Sequence, residues 1–177
     1  AMELVTEIRR GTVLGRVLGN GAVVTGQVLG IRRVPAVKGQ AISAYDPRAI
    51  KGNGVTYATS PQGADHTCGN VIRADIDHLS PNGQVEVSRN AQIAMAGYDA
   101  LGACLFGGFG FADAPGALRD MINGRYAWDV GDDILAELGR ETLRLEREFN
   151  RLAGFGSSDD RLPEWMTTEA LPPHNTV

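Results

Sequence analysis

A chain of 177 residues is long enough to bury one continuous hydrophobic core, and one domain is the expectation. Its net charge of −4 excludes an electrostatic grip on nucleic acid or on an anionic membrane, both of which need clustered Lys and Arg. No stretch approaches the roughly 18 apolar residues of a membrane span, and residues 1–10 lack the pattern of a secretory signal, so a cytoplasmic protein is expected.

Two cysteines, Cys68 and Cys104, cannot staple a secreted fold of this size, nor complete a four-thiolate cluster or structural zinc site by themselves. Glycine stands out, with 23 residues concentrated before position 125. In an otherwise helix-forming chain, this density points to backbone brought close to another backbone or to a flat ligand.

In chain order, Leu4, Ile8, Leu14 and Leu18 share a helical face, which predicts one helix over residues 4–18, weakened by about 1 kcal/mol at each of Gly11 and Gly15. Gly19-Asn20-Gly21 breaks the chain, residues 23–37 read as either a short helix or an extended segment, and residues 38–45 as a connection. Asp46-Pro47-Arg48 reads as a capped helix start, with the helix running to about Thr59. Ser60-Pro61 stops it, because the residue before proline is pushed out of the helical region. A tight loop over residues 62–69 carries His66 and Cys68.

Pro81-Asn82-Gly83 predicts a turn, residues 85–98 a helix with small residues on one side, and residues 99–111 a glycine-laden segment. A short helix over 117–123 is closed by Gly124, and Asp133 is placed to cap a long helix over 134–152. There Ile134, Leu138, Leu145, Phe149 and Leu152 form one apolar stripe, with Glu141, Arg144 and Glu148 on the other side. From Ser157 onward the sequence predicts an irregular tail with no closing element. The fold class expected is all-α, an irregular multi-helical domain with long glycine-rich connections.

His66 sits in a loop where an imidazole exchanges protons near neutral pH, or is a structural histidine; His78 and His174 read as structural. Asp65 reads as a loop cap and Cys68 as a buried or idle thiol. In Asp99-Ala-Leu-Gly102-Ala103-Cys104-Leu-Phe106, a carboxylate, a glycine and a thiol follow one another at a helix end. A thiolate there can accept a metal and the carboxylate can hold the amino and imino groups of a heterocycle; a helix end with a buried cysteine is the alternative. No phosphate-binding glycine fingerprint follows a strand, so nucleotide binding is unsupported.

Several segments together resemble one family. Val37-Lys38-Gly39, then Ala44-Tyr45-Asp46-Pro47-Arg48-Ala49-Ile50-Lys51-Gly52, Thr56-Tyr57-Ala58-Thr59-Ser60 and Gly63-Ala64-Asp65-His66 resemble the signature of the tungsten-containing aldehyde ferredoxin oxidoreductases. Asp99-x2-Gly102-x-Cys104-x-Phe106 resembles that family's second pterin-contacting motif. Leu145-Glu146-Arg147-Glu148-Phe149-Asn150 and Asp159-Asp160-Arg161-Leu162-Pro163 are similar to its C-terminal part.

The resemblance implies oxidation of aldehydes to acids at tungsten, or molybdenum, held by two pterin dithiolenes, with electrons passing through a 4Fe-4S cluster to ferredoxin or a similar carrier. It implies Cys104 as the fourth cluster ligand, Asp99 as a pterin contact with Gly102 and Ala103 along the pterin edge, and His66 as a proton donor or acceptor near the metal. It further implies that residues 1–177 are a single helical C-terminal domain of a longer chain, because the family's N-terminal sheet domain, its Cys-x2-Cys-x3-Cys run and its first Asp-x2-Gly motif have no counterpart here. The partners implied are those N-terminal domains, the electron carrier and a small aldehyde, and the domain alone is expected to be inactive.

Two departures bear on substrate: Asp65 stands where aldehyde-oxidising members resemble Gly-Ala-Cys-His, and Ala103 replaces a leucine. The Ala-Asp-His-Thr version is similar to branches that reduce aromatic thioesters. A free-standing helical interaction module without redox chemistry is the rival from another class.

Overall fold

The computed structural model describes residues 1–111, 113–114 and 116–177. Its elements are α1 (Met2–Arg10), α2 (Val13–Gly19), α3 (Gly21–Leu29), the two-residue strands β1 (Ala36–Val37) and β2 (Gln40–Ala41), α4 (Lys51–Thr59), α5 (Gln84–Ala100), α6 (Gly108–Phe111), α7 (Ala117–Tyr126), α8 (Ile134–Leu152) and α9 (Glu164–Thr168). The only sheet among the described residues is the antiparallel β1–β2 hairpin, so the fold is all-α as expected.

The first 18 residues differ from the expected single helix. Gly11 adopts a left-handed conformation (φ 62°) that ends α1, and Thr12 restarts the chain by accepting the Gly15 N–H at 3.1 Å on its hydroxyl. α2 folds back on α1, and Gly15 lies directly against the Glu7 carbonyl, where a Cβ would have no room. Residues 23–37 contain both alternatives, with helix to Leu29 and a strand at Ala36–Val37.

The capped start at Asp46 is also corrected. α4 begins at Lys51, because the Asp46 carboxylate is engaged by the Arg48 backbone N–H at 2.9 Å and by its guanidinium at 3.0 and 2.6 Å. Pro47 to Ala49 form turns closed by the Ala49 and Ile50 N–H groups on the Asp46 carbonyl, each at 3.0 Å. α7 continues through Gly124 to Tyr126, and Asp133 occupies the N-cap of α8 without a side-chain bond.

The tail closes after all. Leu171 and Thr176 form a bridge, the Thr176 hydroxyl donates to the Arg48 carbonyl at 2.8 Å, and Arg48 donates to the Glu169 carbonyl at 2.9 Å. A second tie runs from Arg33 to the Glu169 carboxylate at 2.9 Å.

α5 and α8 make the principal helix pair. They meet through glycines: a Cβ on Gly139 would stand 2.8 Å from the Ile93 carbonyl carbon, and one on Gly97 would stand 2.8 Å from Leu135 Cδ1. Because this small-residue face is the one packed, the C-terminal half of the apolar stripe points away, with Leu145 53%, Phe149 71% and Leu152 73% exposed.

Among the described residues one apolar cluster gathers Val37, Tyr57 and Ala64, backed by Ile42, Tyr45 and Leu162, while Val71, Ala96, Ile122 and Met166 are buried elsewhere. Between α4 and α5 lies a polar layer. Thr56 and Ser88 share a hydrogen bond at 2.8 Å, Thr56 also donates to the Gly69 carbonyl at 2.9 Å, and Asn53 accepts the Val71 N–H at 2.9 Å. Gln84 donates to the carbonyls of Asp77 and Ser80 at 2.8 and 2.9 Å. These bonds satisfy groups whose burial would otherwise cost about 1–3 kcal/mol each.

Candidate functional site

The site begins where α4 ends. Ser60-Pro61 halts the helix and leaves a row of carbonyls without helical partners. Three side chains from two distant segments, the β1–β2 turn and α8, satisfy them. Lys38 Nζ donates to Ala58 O at 2.6 Å and Ser60 O at 3.2 Å, Arg147 to Thr59 O at 2.7 Å, and Asn150 to Pro61 O at 2.9 Å.

Asp160 holds the two cations together, 2.7 Å from Lys38 and 2.6 Å from Arg147. Burial raises the Asp160 carboxyl, but the hydrogen bonds from Arg147 and Lys38 outweigh it and hold it below the usual carboxylate range. This network anchors the loop over residues 62–69.

Within that loop Asp65 accepts the Thr67 N–H at 2.8 Å and its hydroxyl at 2.9 Å, opening the single 3-10 turn His66–Cys68. Asp65 is therefore a loop cap, and it stands 3.7 Å from His66 Nδ1, beyond hydrogen-bond reach. His66 is half-buried, with Nδ1 2.9 Å from the Ser43 hydroxyl and its ring 5.3 Å from that of Tyr45. Nε2 has no hydrogen-bond partner among the described residues. Cys68 donates to Gln62 Oε1 at 2.8 Å, and burial pushes its thiol up to about 11, so it stays protonated and unreactive.

The loop, α5 and α8 enclose a cleft of about 410 Å³. Ser60, Gln62, Asp65 and Cys68 line it from the loop, Gln92 and Asp99 from α5, and Glu146 from α8. The fold thus brings Asp99 and the His66-bearing loop to one place, although His66 itself and Cys104 are not on the cleft wall.

After Asp99 the helix ends in a reversal. Gly102 takes a left-handed conformation (φ 66°), its N–H donating to Asp99 O at 2.9 Å, while the Ala103 N–H donates to Tyr98 O at 2.9 Å. Among the described residues nothing lies within 4 Å of where a Gly102 Cβ would stand. Cys104 follows, exposed, in extended backbone (φ −70°, ψ 135°). Among the described residues no group of three or more His, Cys, Asp or Glu side chains is placed to hold a metal.

Gln92, Glu146, Lys38 and the Arg147–Asp160 pair are site residues that motif reading left unassigned. Glu146, Arg147, Asn150, Asp160 and Lys38 all fall inside the segments that carry the family resemblance, which was the available signal. Gln92 had none.

The family description "Aldehyde ferredoxin oxidoreductase, domains 2 & 3" matches residues 1–176. The chain is 32% identical over 145 residues to the tungsten-containing aldehyde ferredoxin oxidoreductase of Pyrococcus abyssi, covering 77% of this chain and 24% of that protein. It is 31% identical over 152 residues to the Pyrococcus horikoshii enzyme of the same name, covering 81% and 25%. Against that of Thermococcus kodakarensis it is 32% identical over 146 residues, covering 77% and 24%. The chain spans about a quarter of the length of these curated relatives. It belongs to the aldehyde ferredoxin oxidoreductase family, in the C-terminal region of which domains 2 and 3 are part.

Proposed function

We propose that this chain forms one wall of an enzyme that oxidises aldehydes to carboxylic acids, using tungsten or molybdenum held by two pterin dithiolenes and a 4Fe-4S cluster that delivers electrons to ferredoxin. The observation that carries this reading is the shared cleft: Asp65 and Asp99, one residue from each of the motifs Gly63-Ala64-Asp65-His66 and Asp99-x2-Gly102-x-Cys104, line one cavity although the motifs are distant in sequence.

The residues fit these groups. Asp99 is an acceptor on a cavity wall, suited to the amino and imino groups of a pterin, and Gly102 leaves open space for a flat ring beside the backbone of Ala103. Cys104 is an exposed thiol without partners among the described residues, which suits one ligand of a cluster whose remaining ligands come from elsewhere. When bound, these cofactors accept the electron pair that leaves the aldehyde carbon.

The protein's own contribution is to orient and to move protons. Conversion of an aldehyde and water to an acid releases protons together with that electron pair. His66, held through Nδ1 by Ser43 and against Tyr45, has Nε2 available to take or return one of them. Asp99 and the Gly102–Ala103 backbone fix the pterin edge, and the Lys38–Asp160–Arg147 network holds the loop that presents His66.

The test is anaerobic expression of the full-length protein with tungstate or molybdate, followed by metal analysis and aldehyde-dependent reduction of ferredoxin. The expected result is aldehyde oxidation by the full-length protein, with the 177-residue chain colourless and inactive. Full-length protein that carries the cofactors and ignores aldehydes but reduces aromatic thioesters would shift the substrate class to the one that Asp65 suggests. A full-length protein without metal would overturn the redox reading.

A further inference from the structure

Two residues of one turn grip the His66 ring. The Tyr45 N–H donates to the Ser43 carbonyl at 2.7 Å, which folds residues 43–45 tightly and brings both side chains onto the imidazole. Ser43 Oγ stands 2.9 Å from Nδ1, and the Tyr45 ring lies 5.3 Å from the imidazole at a tilt of 32°. The turn is fixed to α4, because the Tyr45 carbonyl accepts the hydroxyl of the fully buried Tyr57 at 3.4 Å.

The hydrogen between Ser43 and Nδ1 decides what Nε2 can do. A hydroxyl both donates and accepts, so this bond alone permits either tautomer. Asp65 breaks the tie. Its Oδ1, tied to the N–H and hydroxyl of Thr67, is held 3.7 Å from Nδ1. That is too far to replace Ser43, yet close enough for the carboxylate charge to favour a hydrogen on Nδ1 over a lone pair. The other titratable neighbour, Tyr45, packs against the ring, and Asp46 is drawn off by Arg48.

We propose that Ser43 is a positioning residue for the proton step: it accepts from Nδ1–H, supported by the charge of Asp65, and so leaves a lone pair on Nε2. The proposal rests on the assignment of His66 to proton transfer and makes that residue the acceptor in aldehyde oxidation. An aldehyde and water yield an acid, two protons and an electron pair; the electron pair leaves as proposed above, one proton goes to Nε2 and the other to water. The imidazolium so formed keeps its Nδ1–H on Ser43 Oγ, so the ring holds one orientation before and after the transfer. Asp65 thereby serves the chemistry as well as the loop.

Long-range nitrogen–proton correlation spectra of the 177-residue chain, labelled at the histidine ring nitrogens and recorded where the rings are neutral, read the tautomer directly. The chain has 3 histidines, and His66→Ala identifies the signal. The full-length apoprotein serves in its place if the shorter chain does not melt cooperatively. The expected result is hydrogen on Nδ1 in the wild type and in Ser43→Thr, and movement of that hydrogen to Nε2 in Ser43→Ala and in Asp65→Asn. In the full-length enzyme Ser43→Ala should lower kcat by about tenfold, the value of one hydrogen bond, with KM and metal content unchanged, and Ser43→Thr should stay within about threefold of wild type. Hydrogen on Nε2 in the wild type, or an unchanged tautomer in Ser43→Ala, overturns the role of Ser43 and leaves that of His66 standing. Full activity of His66→Ala overturns the reading of His66 itself, whatever the tautomer.

Discussion

Gly139→Ala sets two known effects against each other. In mid-helix the substitution stabilises by about 1 kcal/mol through propensity alone. In this fold the new Cβ would stand 2.8 Å from the Ile93 carbonyl carbon and 3.1 Å from the Gly97 nitrogen, and nearer still to the Ile93 carbonyl oxygen. Restoring a carbon contact of about 3.5 Å alone requires α5 and α8 to part by roughly 0.7 Å, and clearing the nearer oxygen requires more. The obstacle is backbone and cannot rotate aside, so the cost belongs at about 3 kcal/mol, the upper end for overpacking. The net loss of about 2 kcal/mol lowers the melting temperature by about 4–8 °C in a chain of this size. Gly124→Ala in α7 is the control: among the described residues nothing lies within 4 Å of its Cβ position, and it should raise the melting temperature by about 2–4 °C. Differential scanning calorimetry of both variants decides the matter. Equal stabilisation of the two would refute close α5–α8 packing, and with it the geometry that sets Glu146 opposite Asp99.

Asp160→Asn should cost about 3 kcal/mol, because it leaves the nearly buried Lys38 ammonium facing only carbonyls. The folded Asp160 carboxyl lies below its unfolded value, so its contribution is fully present above about pH 3.9 and is lost as pH falls through the folded value; urea melts from pH 2 to 7 should lose this acid-side step in the variant. Iodoacetamide at pH 8 should label Cys104 well before Cys68, whose thiol at about 11 is about one part in a thousand ionised, and peptide mass mapping would reveal the reverse order if the loop were open. His66→Ala in the full-length protein should reduce turnover by about 10²- to 10⁴-fold with metal and pterin contents unchanged, whereas loss in step with cofactor content would make the residue structural.

Local punctuation in the sequence was read well. Ser60-Pro61, Pro81-Asn82-Gly83 and the start of α8 at Ile134 stand where expected, because proline geometry and turn residues act within a few positions. Reading failed where a side chain had two local uses. Asp46 was equally able to cap a helix or to bind Arg48 two residues on, and Arg48 won because it also reaches Glu169 in the tail. The stripe on α8 showed that a face is apolar, but not whether this chain covers it; Gly139 turned an adjoining face inward. For the same reason the motif singled out Asp99, which lines the cleft, whereas Gln92 and Glu146 became its neighbours only through the α5–α8 crossing.

The layer between α4 and α5 bears on how stability responds to temperature. Asn53, Thr56, Ser60, Gln84, Ser88 and Gln92 are buried where many domains place aliphatic side chains. Exposing polar surface on unfolding lowers the heat capacity, by about 0.26 cal/K/mol per Å², whereas apolar surface raises it by about 0.45. With few buried apolar residues beside this layer, the heat-capacity increment per residue should fall below the usual 12–15 cal/mol/K or so, and the stability curve should be correspondingly flat. A flat curve loses little on cooling, so α4 and α5, joined through hydroxyls and amides, keep the loop that follows α4 in register with the cleft wall on α5 over a wider span of temperature than an oily interface of the same area would.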